Sequence, residues 1–541
     1  MTAASNAGRE KFNLLAWKPR EWRKGRRVIP VIDLFAGPGG LGEGFSSLRD
    51  DSDKPIFQSI MSIEKDAQTH KTLRLRSYVR KILNEDGSVP QVYLRYMSKR
   101  DTASWEKLIS YRPGLWAAAC DEAICATLVE GDDALVEQAS QRLSAWRAQN
   151  GGSAPFVLIG GPPCQAYSLV GRSRRAHDEK FDRDEKHTLY KCYLSFIQRL
   201  TPDVFVMENV KGLLSARHNG QGVFHHILED MQAAGYEVRS LVVENPQTPD
   251  DYIVEAEKYG IPQMRHRVIL LGVKSDSELE TGLLEPAREI SVRLALAGIP
   301  KLRSSFSKRN PSWETMDWAS YINGAAKRIL ADESCATMAP VICKVLSNHP
   351  PRKTAKTEVS GFVGPYEKWY RGRLTESRLL TSHESRAHLA KDLERYLFCA
   401  AYAETYGVPA RLEEFPDVLL PNHRNVIDNV SEVKKGGAYK FDDRFRVQIY
   451  DKPSTTITSH IAKDGHYYIH PDPTQCRSLT VREAARLQTF PDDYLFEGNR
   501  TSQFTQVGNA VPPLLAQQIA VVVAKALGEE PHGFFEELAR P

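Results

Sequence analysis

A chain of 541 residues, 41% hydrophobic and 26% charged, has the composition of a globular protein and the length for two or three domains. It has no apolar run near membrane-spanning length, which predicts a soluble protein without a transmembrane helix. The net charge of +4 is close to neutral for this size, so a nucleic-acid surface has to be local, and eight singly scattered cysteines without zinc-ribbon or redox-motif spacing fit a reducing cytosol.

In chain order, residues 1–28 form a basic arm carrying Arg9, Lys11, Lys18, Arg20, Arg23, Lys24, Arg26 and Arg27, without a signal-peptide core. The arm is either a solvated tail or a contact to a polyanion. "VIPVIDLFAGPGGLGEGF" (28–45) predicts a strand, a glycine-rich turn and the start of a helix, and "IFQSIMSIEKD" (56–66) a second strand ending in Glu64. A helix-like stretch rich in Lys and Arg follows. Residues 126–131 read as a third strand running into Gly131 and Asp132, with "ALVEQASQRLSAWRAQ" as the helix behind it. Phe156–Ile159 is the fourth strand. Gly160, Gly161, Pro162 and Pro163 then forbid both helix and strand, leaving Cys164 on a stiff loop, either as a prepositioned nucleophile or as an ordinary buried thiol. "LYKCYLSFIQRL" predicts a helix, "DVFVMENV" (203–210) a buried strand, and "RHRVILLGV" (265–273) another after a further helix and strand.

This alternation predicts an α/β fold with a mostly parallel, doubly wound sheet and ligands at the strands' C-terminal ends. From about 275 to 445 the rhythm is lost around a helix-like 384–407. The rhythm's last parts are "TVREAARLQTFPDDY", a helix stopped by Pro491, and "QVGNAVPPLLAQQIAVVVAKAL", a loop entering a long apolar helix.

Several strand ends carry chemistry. Asp33–Gly40 lets backbone approach a ligand, and Glu64 at the next strand end suits ribose hydroxyls; the glycine spacing fits a nucleoside without phosphates better than a dinucleotide. A turn made only for helix packing is the alternative. Asp132 is an adenine contact or a helix cap with equal weight. Glu208, one strand after Cys164, supplies an acid beside a nucleophile, or with Asn209 a cap pair. Arg265 and Arg267 share one face by the period of two and imply an anion or polar acceptor, or else a surface ion-pair ladder.

The blocks "DLFAGPGG", "GGPPCQAYS", "ENV", "QMRHR", "RSLTVREAARLQTFP" and "QVGNAVPP", in this order, resemble the DNA (cytosine-5-)-methyltransferase family of the bacterial restriction-modification type. The resemblance covers most of 30–275 and 445–528. It implies a Rossmann-like S-adenosylmethionine-dependent methyltransferase sheet with a smaller, irregular target-recognition domain. The implied division is the arm at 1–28, catalytic parts at 29–275 and 446–541, and recognition at 276–445. Cys164 would attack C6 of a flipped-out cytosine, Glu208 would contact N3 and the exocyclic amine, and Arg267 with Arg265 would hold O2 and the neighbouring phosphate. Phe35 would stack on the cofactor's adenine beside Gly37 and Gly39, Glu64 would bind the ribose, and Asp132 would meet the adenine amine. Leu189, Asn509 and Val511 would complete the pocket, while Gln165 and Ser168 would touch DNA. No metal is expected. Arg371, Arg373, Arg378, Lys434 and Lys435 are candidate phosphate contacts, although for any single one a solvated surface is the more common role.

The implied partners are double-stranded DNA and a cognate restriction endonuclease or phage-defence proteins, for a cytoplasmic, nucleoid-associated monomer with no membrane contact. The alternatives are a transfer-RNA cytosine-5 methyltransferase with the same blocks, a catalytically silent DNA-binding module, and a dehydrogenase. Glycine spacing and the thiol loop disfavour the dehydrogenase.

Overall fold

The computed structural model describes residues 28–150, 152, 154–163, 189–218, 221–307, 316–352, 366–371, 374, 379–421 and 444–532. The apolar runs read from the sequence become its central strands. β1 (Ile29–Leu34) is buried at every position, as expected of a strand covered on both faces. It pairs in parallel with β2 (Phe57–Glu64) on one side and β4 (Val157–Gly160) on the other, and β4 pairs in parallel with β5 (Val204–Val210). With β3 (Ala123–Cys125), β6 (Tyr236–Arg239), β7 (Ile253–Glu255) and the antiparallel β9 (His266–Lys274), the described residues form an eight-stranded sheet of order β3-β2-β1-β4-β5-β9-β6, with β7 also on β9. A two-stranded pair joins β8 (Gln263–Met264) to Ser454–Thr455. The fold is the expected α/β doubly wound one, and the chain reverses its winding between β1 and β4, where such sheets open a ligand crevice.

The third strand lies at 123–125, not at 126–131. β2 ends at Glu64, whose carbonyl takes the amide of Ala126, so residues beyond Ala126 have no edge left to pair with. The preceding Lys- and Arg-rich stretch is four helices, α2 (Ala67–Asp86), α3 (Gln91–Lys99), α4 (Thr102–Ile109) and α5 (Pro113–Glu122), which share an apolar core around Tyr78, Ile82, Tyr93 and Leu108.

Strand alternation feeds two cores. Val31, Ile159, Val206 and Leu271 face α1 (Gly40–Ser47) and the C-terminal α15 (Pro513–Ala526), while Ile32, Leu158, Met207 and Leu270 face α6 (Ala134–Gln149), α7 (Leu189–Leu200) and α8 (Val223–Ala233). The stretch Arg500–Ala526 is long and apolar enough to cross a membrane by composition alone, but it is mostly buried and consists of two helices, α14 (Arg500–Asn509) and α15.

Packing crosses the borders of the 276–445 segment. α9 (Trp318–Leu330), α10 (Ala339–Ser347) and α12 (Ala390–Tyr406) build a separate core that also takes Val447, Ile469 and Cys476. Tyr366, Trp369 and Tyr370, at α11 (Glu367–Arg371), pack instead into the sheet's own core. Three fully buried arginines around α13 (Val481–Leu487) fasten the parts together. Arg477 pairs with Glu483 at 2.6 Å and donates to the Leu302 carbonyl; Arg482 donates to the carbonyls of Thr381 and Pro491; Arg486 pairs with Asp492 at 2.6 Å and donates to the Ala297 carbonyl. Arg477 and Arg486 each have a carboxylate of their own, while Arg482 shares Asp492 at 3.8 Å and directs its donors to carbonyls and the Thr381 hydroxyl.

Candidate active site

The first glycine turn is built from backbone conformations that most residues avoid. Phe35, Gly37 and Gly39 all have positive φ, at 55°, 57° and 99°. The turn is closed by the Gly39 amide on the Ala36 carbonyl at 2.9 Å, and Gly39 caps α1 without a side-chain hydrogen bond. A Cβ on Gly37 would meet no atom within 4 Å, so open space lies over the turn. Glu64 borders it. One carboxylate oxygen accepts from the Gly37 amide at 3.0 Å and the other from the Asp66 amide at 2.7 Å, while burial pushes its carboxyl upward. Phe35, Ile124, Ala126 and Leu189 lie partly buried at the rim of the same apolar cluster.

The C-terminal segment comes back to this turn. A Cβ on Gly40 would lie 2.2 Å from the Val511 carbonyl oxygen and one on Gly44 2.3 Å from the Ala516 Cβ, so only glycines let α1 and the start of α15 approach this closely. Val511 is therefore brought to the turn, and Asn509, exposed, ends the helix just before it. Asp132 is not brought to a strand end: it lies exposed, seven positions past Cys125, and accepts from the Ala134 amide at 3.0 Å as α6 begins.

The second cluster sits at the ends of β4 and β5. Their register pairs Gly160 with Met207, which sets Gly161 against Glu208: a Cβ on Gly161 would lie 3.0 Å from Glu208 Oε2. Asn209 Nδ2 donates to the Pro162 carbonyl at 3.1 Å, fixing the start of the proline loop. Cys164, Gln165 and Ser168 lie outside the described residues. Antiparallel pairing of β9 with β5 places Arg267 opposite Val210, and Arg267 Nε stands 2.9 Å from Glu208 Oε1. Burial lowers the Arg267 guanidinium's affinity for its proton. Arg265 falls just before β9 rather than within it and is 2% exposed; Nη1 donates to the Ile457 carbonyl at 3.0 Å. Burial and the Arg267 charge push it down to about 9. Arg371 pairs with Glu367 at 3.2 Å; Arg373, Arg378, Lys434 and Lys435 lie outside the described residues.

Sequence reasoning missed three charged residues here. Asp33, buried under α1, has its carboxyl pushed up to about 8 by burial. His266, between the two arginines, meets Glu257 at 2.7 Å. Arg76 of α2 is the third. Its two carboxylate partners come from positions 43 and 493, a pairing that no local pattern carries.

A sheet of this order with a glycine turn after β1, an acid ending β2 and a Glu–Arg pair between β5 and β9 has the layout of a methyltransferase-type fold. A solved protein assigned as a DNA modification methyltransferase, encoded within an Escherichia coli prophage, superimposes with a TM-score of 0.50 at 18% identity, over 93% of this chain and all of the other. The family model "C-5 cytosine-specific DNA methylase" matches residues 153–525. The Type II methyltransferase M.Bpa9945I of Bacillus paralicheniformis is 31% identical over 91% of this chain and 98% of its own length. M1.HphI of Haemophilus parahaemolyticus is 27% identical over 92% and 87%. The chain belongs to the C-5 cytosine-specific DNA methylase family.

Proposed function

We propose that this chain transfers a methyl group from S-adenosylmethionine to C5 of a flipped-out cytosine within a specific double-stranded DNA sequence, through a covalent Cys164–C6 intermediate. The observation that carries the reading is the meeting of Gly161 and Pro162, which lead into Cys164, with the Glu208–Arg267 pair.

The residues present fit the cofactor. Open space over Gly37, an α1 start without a side-chain cap, Glu64 at the neighbouring strand end and Phe35 at the rim suit a nucleoside bearing no phosphate. Leu189, Asn509 and Val511 complete the pocket, and Gly39 with Gly37 keeps the turn clear of side chains. Asp132, exposed away from any strand end and accepting from the Ala134 amide two positions on, is left out of this pocket. When bound, S-adenosylmethionine supplies an electrophilic methyl on a sulfonium and leaves as a neutral thioether.

Cytosine C5 is a poor nucleophile until the Cys164 thiolate adds at C6 and pushes an electron pair toward C5. Glu208 shares a proton with N3 and accepts from the exocyclic amine, so that the charge moving onto the ring is neutralised at N3, and Arg267 holds O2 while orienting Glu208. Arg265 acts from behind, bracing the strand start against Ile457. After methylation, loss of the C5 proton and expulsion of the thiolate restore the aromatic ring. Flipping costs a few kcal/mol of stacking and pairing, which the pocket's contacts offset. Gln165 and Ser168, beside Cys164, contact the DNA, and residues 276–445 select the sequence. The relatives named Type II methyltransferases support a paired restriction endonuclease, and a cytoplasmic, monomeric enzyme belongs to the same proposal.

The test is a mechanism-based trap. DNA carrying 5-fluorocytosine at the target blocks the final elimination, so the wild type forms a covalent adduct at Cys164 and Cys164→Ser forms none while still binding DNA. An adduct on another residue, or full activity of the serine variant, contradicts the mechanism.

A further inference from the structure

The helices inserted between β2 and β3 have no part in the proposed reaction, yet α2 reaches the glycine turn. Arg76 is 6% exposed and lies between two carboxylates. Its Nε donates to Glu43 Oε2 at 2.9 Å, Nη2 to Glu43 Oε1, and Nη1 to Asp493 Oδ2 at 3.1 Å. Glu43 belongs to α1, and its amide donates to the Gly39 carbonyl at 2.8 Å. Asp493 precedes Tyr494, whose ring lies under the Arg76 guanidinium at 4.8 Å and whose hydroxyl donates to the Pro38 carbonyl. From one guanidinium, two arms therefore run to Pro38 and Gly39.

The fit leaves no slack: a Cβ on Gly39 would lie 3.0 Å from both Tyr494 OH and Leu73 Cδ1, the latter also from α2. α3 adds a hold on the same loop, since Tyr93 OH donates to the Asp493 carbonyl at 2.7 Å. At its other contact, α2 is tied to the segment ending at Asn509. Thr72 Oγ1 donates to Gln506 Oε1 at 2.7 Å and accepts from the Glu497 amide at 2.7 Å. α2 thus touches both chain segments that flank the space over Gly37. Phe35, a non-glycine residue at positive φ beside the freely turning Gly37 and Gly39, holds that shape only when its surroundings over-determine it.

We propose that Arg76 is a positioning residue for the cofactor turn, holding Phe35–Gly39 in its binding shape through Glu43 on one arm and Asp493–Tyr494 on the other. The inference rests on the S-adenosylmethionine reading above. Because the guanidinium bridges both acids, removing it alone strands two buried carboxylates, so loss of Arg76 by itself confounds binding with folding.

Two variants separate the effects. Tyr494→Phe removes only the hydroxyl on Pro38. The triple variant Glu43→Gln, Arg76→Met, Asp493→Asn removes all three charges together, and Arg80, which stands 3.7 Å from Glu43, keeps Glu122 at 3.1 Å. Calorimetry with S-adenosylhomocysteine, a ligand-free thermal melt, and the KM for S-adenosylmethionine against kcat are read for each. Both variants melt cooperatively, bind S-adenosylhomocysteine about tenfold more weakly, and raise KM with a smaller change in kcat. Arg76→Lys, which keeps the charge but not the two-sided fork, falls between them and the wild type. A cooperatively melting variant that binds like the wild type overturns the proposal, and Tyr494→Phe decides alone if the triple variant does not fold. Wild-type protein that binds no S-adenosylhomocysteine overturns the cofactor reading and this inference with it. Weakening by Glu64→Ala but by none of these variants rejects the brace alone.

Discussion

Glu64 commits both carboxylate oxygens to backbone amides, one in the glycine turn and one at Asp66. Each oxygen keeps a second lone pair, at which a ribose hydroxyl can donate beside the amide. Glu64→Ala is expected to weaken S-adenosylhomocysteine binding by about 1.5–3 kcal/mol, the scale of a hydrogen bond to a charged group, with DNA affinity changing much less. Isothermal titration decides it, and an unchanged dissociation constant confines Glu64 to shaping the turn. At this scale the sequence is readable where a residue ends a strand. Glu64 and Glu208 both stand at or next to a strand end that apolar patterning marks, and both lie where that patterning puts them. The same patterning put Asp132 just past a strand end, whereas that strand lies several residues earlier. Arg76 was not readable, because its partners lie 33 and 417 positions away and only the folded chain joins them.

Among the elements, helices with a clean 3.6-residue pattern have the limits read from the sequence: Ala134–Gln149 and Leu189–Leu200 match residue for residue. The helix read at 480–494 stops earlier, at Leu487. Thr480 and Glu483 form a capping box at its start, and Arg486 turns to Asp492 after its end. The four inserted helices were legible only as helix-like charge, because what they pack on is set by tertiary contacts. The contact between α1 and α15 is the element pairing on which the discontinuous fold depends. Gly44→Ala puts a Cβ where the Ala516 Cβ stands 2.3 Å away, and overpacking of this kind costs about 1–3 kcal/mol. Differential scanning calorimetry should show a lower Tm for Gly44→Ala. An unchanged Tm would mean that the two helices do not approach as described.

For the whole molecule, the block "RSLTVREAARLQTFP" takes on a meaning that its residues alone did not disclose. Its arginines are not aimed at substrate; they fasten 297–302 and 381 to the sheet-bearing part through buried carbonyls and carboxylates. The loss of βα rhythm after 275 was visible in the sequence, whereas the return of Tyr366, Trp369 and Tyr370 to the central core was not, since three aromatics in an irregular stretch have no period to read. The resulting architecture fastens parts of the 276–445 segment to the sheet-bearing core through these buried contacts. The most direct measurement is base-resolution mapping of 5-methylcytosine in DNA and RNA from a host without cytosine methylation, expressing either the wild type or Cys164→Ser. The account predicts methylation of genomic DNA in one fixed sequence context with the wild type and none with the variant. Methylation confined to transfer RNA, DNA methylation without a sequence context, or undiminished DNA methylation by Cys164→Ser would contradict it.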